Sequence, residues 1–278
     1  MNIKEIQVKS ILTKSNLPVS AYCINPYIGC QHGCVYCYAR FMRRFTKHTD
    51  PWGSFVDIKI NSPEILEKQL SKNPKKSTAL IGSVTDAYQP LERQYGITRK
   101  LLEIIVDHQF PVSILTKSNL VLRDIDLLSK LDDCDVGITI TSLDDEFRKR
   151  FEPFSSSISD RINCLKSLHE IGIKTYVFIG PIFPQIVDVA KIIEEVSAYA
   201  DSLMAESLNI KCGNWADIKA VLDRYYPEVS TQYKQLISDI STWQSIENLV
   251  NLECKKSGLE FGGYFSHYKE NICNNQII

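Results

Sequence analysis

Apolar positions along this chain change their period repeatedly. From Ala21 to Ile28 the run AYCINPYI is apolar and aromatic, which predicts a strand. Short apolar runs recur at TALIGS (78–83), PVSILT (111–116), VGITI (136–140), KTYVFIG (174–180) and SLMAESL (202–208), each of strand length. Between them the spacing turns helical. Ser62-Pro63-Glu64 opens a helix, with Ser62 as the expected N-cap and Pro63 in the first turn. A second helix is expected to start at Thr98, placing Leu101, Ile104, Ile105 and His108 on one face. Others are expected from Asp124 to Leu131, from Ser159 to Ile171, and through Ile186, Val189, Ile193 and Val196. Strands alternating with helices of this length predict an α/β fold of right-handed βαβ units and a parallel sheet. Residues 1–20 read as an irregular arm or short strand. A long helical region from Glu228 to Ser257 ends at Gly258, and GLEFGGYF forms a last strand or a loop over the sheet. The terminal NICNNQII reads as frayed.

Composition narrows the class. Hydrophobic content of 44% and charged content of 23% are those of an ordinary globular protein. With no internal repeat or composition break, the expectation is one domain over 1–278, a core at about 21–212 and a C-terminal helical extension at 213–278. The net charge of −1 gives no global field for nucleic acid, although a local patch would suffice. Nine cysteines, an odd and scattered set, are not a disulfide framework and point to a reducing cytoplasm. The N-terminus lacks a signal-peptide core, and no apolar run approaches the roughly 18 residues of a membrane span.

Three of those cysteines stand apart. Cys30, Cys34 and Cys37 have the spacing C-x3-C-x2-C within NPYIGCQHGCVYCYAR, beside Gly29 and Gly33. A cubane iron–sulfur cluster takes one thiolate per iron, and gaps this short wrap three thiolates around one cluster. The fourth iron then lacks a local ligand, and an open metal position is where a substrate or cofactor binds. Two other readings compete. Zinc could take the same thiols with His32 or a distant cysteine, and a ferredoxin-like transfer cluster would need a fourth cysteine nearby. After the loop, Arg40, Arg43, Arg44 and Lys47 interleave with Phe41 and Phe45, a pattern that tracks a phosphate backbone or forms a solvated helix face.

In parallel βα folds the chemistry lies at the C-terminal ends of strands. Here those ends carry the cysteine loop, then Ser83, Thr85 and Asp86, then Lys117, Ser118 and Asn119. Thr141, Ser142, the Gly180–Pro184 turn, Asn209 and Cys212 follow. The hydroxyls and the carboxylate suit an ammonium or a ribose, and Lys117 suits a carboxylate.

The string NPYIGCQHGCVYCYARFM resembles the signature of the radical S-adenosylmethionine (SAM) enzymes, in the spore photoproduct lyase-like branch often labelled "DNA repair photolyase". The resemblance implies a partial (β/α)6 TIM-like barrel, a 4Fe-4S cluster on Cys30, Cys34 and Cys37, and SAM chelated by the open iron. An electron would cleave SAM, and the 5′-deoxyadenosyl radical would abstract a substrate hydrogen. It implies that Ser83 or Thr85 holds the SAM amino group, that Lys117 holds the carboxylate, and that the backbone of Tyr36 borders the adenine. Asn209 is a further candidate contact with SAM or substrate. Cys212 is a candidate hydrogen donor, and Tyr38 is a candidate for radical relay or substrate contact. True spore photoproduct lyases have a hydrogen-donating cysteine after the second strand, whereas Gly82, Ser83, Val84 and Thr85 stand here. Only the SAM-cleaving machinery is therefore carried over, with a nucleic-acid base among the substrate expectations and a flavodoxin or ferredoxin as the expected low-potential electron donor. The competing class is a non-catalytic iron–sulfur or zinc protein that binds nucleic acid or a partner through Arg40–Lys47.

Overall fold

Among the described residues, β-branched and aromatic runs bounded by Gly, Pro and polar residues build eleven strands. They are β1 (Asn2–Ile6), β2 (Leu12–Lys14), β3 (Tyr22–Ile24), β4 (Tyr27–Ile28), β5 (Phe55–Lys59), β6 (Ala79–Ile81), β7 (Val112–Thr116), β8 (Cys134–Thr139), β9 (Lys174–Ile182), β10 (Ser202–Ser207) and β11 (Glu260–Phe265). This computed structural model describes residues 1–268, so NICNNQII and Cys273 lie outside the described residues.

The main sheet has the order β11-β10-β9-β8-β7-β6-β3-β2. Its six central members, β3 and β6 to β10, are all parallel, as the alternation predicts. GLEFGGYF resolves as a strand, β11, added parallel to β10, while β2 pairs antiparallel with β3 at the other edge. Helices cover the outer face. Leu101, Leu102 and Ile105 of the helix Ile97–His108 are fully buried against it, as are Ile192, Ile193 and Val196 of Val189–Val196. The alternation of parallel strands and covering helices is the α/β architecture expected of the chain.

Several expectations need correction. Ala21–Ile28 is two strands rather than one, because Pro26 has no ladder donor and forces Asn25 out of register. Tyr22 pairs with Ala79 in the main sheet, whereas Tyr27 pairs with Ile58 in a second sheet, β1-β5-β4. Ser62 is the first residue of the helix Ser62–Leu70, and Asn61 occupies the N-cap position. Neither side chain caps, since Asn61 is spent on the backbone of Val8 and the Ser62 hydroxyl is buried without a partner. Gly96, in the left-handed region, separates a short turn Glu92–Tyr95 from a helix that starts at Ile97, one residue before Thr98. Asp124–Leu131 is a 3-10 turn, Asn119–Asp124, followed by the short helix Ile125–Leu128. Ser157 caps Ile158–Glu170, and Asp188 caps Val189–Val196, which leaves Ile186 ahead of that helix. The helix Asp145–Phe151 has no counterpart among the expected elements, whereas Trp215–Tyr225 falls within the expected helical stretch 213–278. Glu228–Ser257 breaks into Pro227–Ser230, Tyr233–Ser238 and Ile240–Ser257, and the last ends on Gly258 in the left-handed region.

Candidate functional site

The chain leaves the C-terminal end of β3, crosses to the small sheet at β4, and enters the cysteine loop directly after it. Close approach of backbones shapes it. Gly29 has φ +85°, and a Cβ there would come 2.4 Å from the Phe55 carbonyl oxygen. Gly53 has φ +89°, and its Cβ would come 2.7 Å from the Cα of Gly33. Only glycine fits where these strands of chain touch. Cys30 and Cys34 are each 7% exposed, Cys37 is half-buried, and the Trp52 side chain lies beside Cys37.

Burial pushes all three thiols upward, and Lys117, Arg40 and Trp52 moderate the rise at Cys37. Such thiols stay protonated until a metal cation displaces the proton. Among the described residues no three His, Cys, Asp or Glu side chains converge on a single ion. A cubane takes its thiolates at separate irons, and three thiols on one short loop are a donor set of that kind. The donor set fits the cluster.

Three polar devices fix the loop. In the first, the Asp86 carboxylate accepts from Thr116 Oγ1 (2.7 Å), Lys117 N (2.8 Å) and Tyr88 N (2.9 Å), and faces His32 Nδ1 at 3.3 Å. Burial opposes its charge, but His32 and these donors hold it well below the usual carboxylate range. His32 is thereby tied to the ends of β6 and β7. In the second device Thr85 Oγ1 donates to the Gly29 carbonyl (2.6 Å) and accepts from Gln89 Nε2 (3.2 Å), while Gln89 Oε1 accepts from Gln31 N (2.7 Å). Beside it Asn25 Nδ2 donates to Ser83 Oγ (2.9 Å), and Asn25 Oδ1 accepts from Val84 N (3.0 Å).

The third device lies beneath Tyr36. Its hydroxyl donates to Glu152, which also accepts from Thr141 Oγ1 (2.7 Å) and is paired with the fully buried Arg161. Arg161 donates in addition to the carbonyls of Thr139 and Ser156, both at 3.0 Å. Burial disfavours the Glu152 charge, yet Arg161, Lys117 and the Tyr36 hydroxyl hold its carboxyl at about 2. Lys117 Nζ stands 5.7 Å from the centre of the Tyr36 ring, on the side of the cysteines. Asn214 Nδ2 donates to the Tyr36 carbonyl (2.8 Å), which joins the loop to the C-terminal region.

The expected site residues therefore gather, with some roles changed. Ser83 and Lys117 are half-buried at neighbouring strand ends, whereas Thr85 is buried and committed to the loop. The Tyr38 hydroxyl donates to the Ser83 carbonyl, and Tyr38 sits among Glu206, Cys37, Cys23 and Cys212, with burial pushing its pKa up. Asn209 Oδ1 accepts from Lys211 N (2.9 Å) and its Nδ2 lies 3.5 Å from His267 Nδ1. Cys212 lines a cleft of about 670 Å³ between residues 40–52 and 211–217. Arg40 is not a free member of a basic run. It donates to the carbonyls of Val35 (2.7 Å) and Cys37 (3.2 Å) and pairs with Asp217 (2.7 Å), bracing the loop. Glu152, Arg161, Asn214 and Trp52 were missed, since nothing in their spacing relates them to the cysteines. His32 and Asp86 each stood in a motif already in view, but their pairing is a tertiary fact.

The sequence matches the Radical SAM superfamily model over residues 24–196. An uncharacterised protein of Methanocaldococcus jannaschii is 38% identical over 256 residues, 92% of this chain and 95% of that one. A "Radical SAM Nalpha-GlyT isomerase" of Pseudomonas phage M6 is 24% identical over 221 residues, 78% of this chain and 45% of the phage protein. Among solved structures, a spore photoproduct lyase variant with bound AdoMet and dinucleoside spore photoproduct superposes with a TM-score of 0.70 at 14% identity, covering 96% of this chain and 82% of that one.

Proposed function

Because the chain belongs to the radical SAM superfamily, a class of enzymes that use a 4Fe-4S cluster and SAM, we propose that Cys30, Cys34 and Cys37 ligate three irons and leave the fourth to SAM. The observation that carries this reading is a glycine-shaped loop of three thiols flanked by Ser83 and Lys117 at neighbouring strand ends. When bound, the cluster supplies one electron to SAM, which splits into methionine and a 5′-deoxyadenosyl radical that takes a hydrogen atom from the substrate.

The chain's own residues bind and orient. Ser83 holds the SAM ammonium rather than Thr85, because Ser83 is half-buried and reachable whereas Thr85 is buried between Gly29 and Gln89. Lys117 pairs with the SAM carboxylate, as a mobile point charge over the Tyr36 ring. The Tyr36 backbone borders the adenine, with its carbonyl held by Asn214. Asn209 shapes the turn after β10 and orients His267. Tyr38 and Cys212, grouped with Glu206, serve in returning a hydrogen atom to the product radical.

For the substrate we favour a nucleic-acid base, given the dinucleoside bound by the spore photoproduct lyase neighbour. The electron comes from a low-potential carrier in a reducing cytoplasm. Anaerobic reconstitution followed by dithionite and SAM tests the reading, with 5′-deoxyadenosine as the expected product. A protein that retains zinc in a tetrahedral thiolate site and forms no such product would overturn it.

A further inference from the structure

Reductive cleavage of one SAM consumes one electron, which must come from outside the chain. The other described cysteines, Cys23, Cys134, Cys164, Cys212 and Cys254, are scattered along the chain without the close spacing of Cys30, Cys34 and Cys37. The electron must enter where the cover over the cluster loop is thinnest. Of the three thiols Cys37 is the least buried, and the Trp52 side chain stands beside it and lines the open cleft. A single indole thus separates a cluster ligand from a surface recess.

The rim of that recess is cationic. Arg43, Arg44 and Lys211 line it. Among the described residues none of them has a carboxylate at ion-pair distance. Arg43 donates to the Thr49 carbonyl (2.9 Å) and Lys211 to the His267 carbonyl (3.1 Å), while the Arg44 guanidinium lies 5.3 Å from the ring centres of both Phe41 and Phe45. The acids nearby are spent: Asp217 is paired with Arg40, and Asp50 accepts from Asn2 and stands by His48. At the edge Phe45 is 69% exposed. The chain as a whole has a net charge of −1, so this is a local concentration of positive charge.

Resting on the radical SAM reading, we propose that the face formed by Arg43, Arg44, Phe45, Trp52 and Lys211 is the docking surface for an acidic one-electron carrier protein. Free cations around a small apolar centre suit a brief electron-transfer encounter. Charge complementarity raises the association rate without making the complex too tight to turn over. The exposed Phe45 supplies the dry contact, and Trp52 with Cys37 forms the short path inward. The carrier loses one electron and the oxidised cluster gains it; no bond is made or broken at this step.

The test uses the reconstituted enzyme, SAM, and either dithionite or a purified reduced flavodoxin as the reductant. In the variant R43E/R44E, 5′-deoxyadenosine formation with flavodoxin is expected to fall about tenfold or more at low carrier concentration. The dithionite-driven rate and the iron content should stay at the unaltered level. Binding of oxidised flavodoxin to the cluster-loaded enzyme, read by biolayer interferometry, should weaken in R43E/R44E and with rising salt. An equal fall with both reductants, or unchanged flavodoxin binding, overturns the docking surface. So does a variant that loses affinity for a labelled single-stranded oligonucleotide while its flavodoxin-driven rate is unchanged, since the cations then serve a phosphate chain. If the unaltered enzyme cleaves no SAM even with dithionite, the functional reading falls and takes this inference with it.

Discussion

Replacing Glu152 by Gln removes one charge and keeps the shape. The Gln carbonyl can still accept from Tyr36, but the guanidinium of Arg161, fully buried, loses its anionic partner. Two independent routes give the size of the effect. Lowering a carboxyl from 4.5 to about 2 corresponds to about 3 kcal/mol of native-state preference for the ionised form. Breaking one partner of a buried ion pair costs about 3 to 5 kcal/mol. The sign of the pH dependence follows from linkage. A carboxyl whose pKa is depressed on folding stabilises fully above its unfolded value of 4.5 and loses that contribution as pH falls toward about 2. Urea unfolding of the metal-free, reduced protein should therefore show E152Q less stable than the parent by about 3 kcal/mol at pH 7. The gap should shrink by about half near pH 3. A difference under about 1 kcal/mol at pH 7, or one equal at both pH values, would refute the account of this pair. The same variant should bind iron less completely, because the group that anchors Tyr36, between two of the cysteines, is no longer held in place by its ion pair with Arg161.

Other perturbations separate the roles. K117M should raise the dissociation constant for SAM about 10- to 100-fold, from about 1.5 to 3 kcal/mol for a lost charge-assisted contact, while the cluster spectrum is kept; a titration of the loaded enzyme with SAM reads this. S83A should weaken SAM binding with little change in melting temperature, whereas T85A should lower the melting temperature through the freed Gly29 carbonyl; equal behaviour of the two would remove the distinction drawn between them. G53A should destabilise by about 1 to 3 kcal/mol and reduce iron occupancy, since its Cβ meets the Cα of Gly33 at 2.7 Å; iron analysis and thermal melts check it. Alanine at Cys30, Cys34 or Cys37 should each abolish the absorbance of the reconstituted cluster, and full retention in any one would exclude that cysteine as a ligand.

What could be read in the sequence was what depends on near neighbours. The cysteine spacing, the alternation that builds six parallel strands, and the polar residues at their ends are all local patterns. The small sheet escaped because its three strands are only two to five residues long and FVDIK finds its partners far away, at residues 2–6 and 27–28. Ser83 and Thr85 are equivalent as letters. Only the burial of Thr85 and its bond to Gly29 show that one hydroxyl is structural. Arg40 read as one of four cations in a run, although it alone is claimed by the carbonyls of the loop. Glu152 and Arg161 gave no signal, because a charged residue in a sequence does not declare that it will be buried. β11 was legible as strand or loop, and its place beside β10 is decided by pairing alone.

The loop carrying the thiols draws its fixtures from far along the chain. Gly29 is gripped by Thr85, Tyr36 by Glu152 and Asn214, sequence separations of 56, 116 and 178 residues. Closing such long spans costs entropy that is recovered only once the distant segments have already assembled. During synthesis the cysteines leave the ribosome early, yet the set of contacts that fixes their loop is complete only once the segment around Asn214 has followed. Iron delivery therefore belongs after folding, and a chain truncated before Asn214 would offer its three thiols to any thiophilic metal.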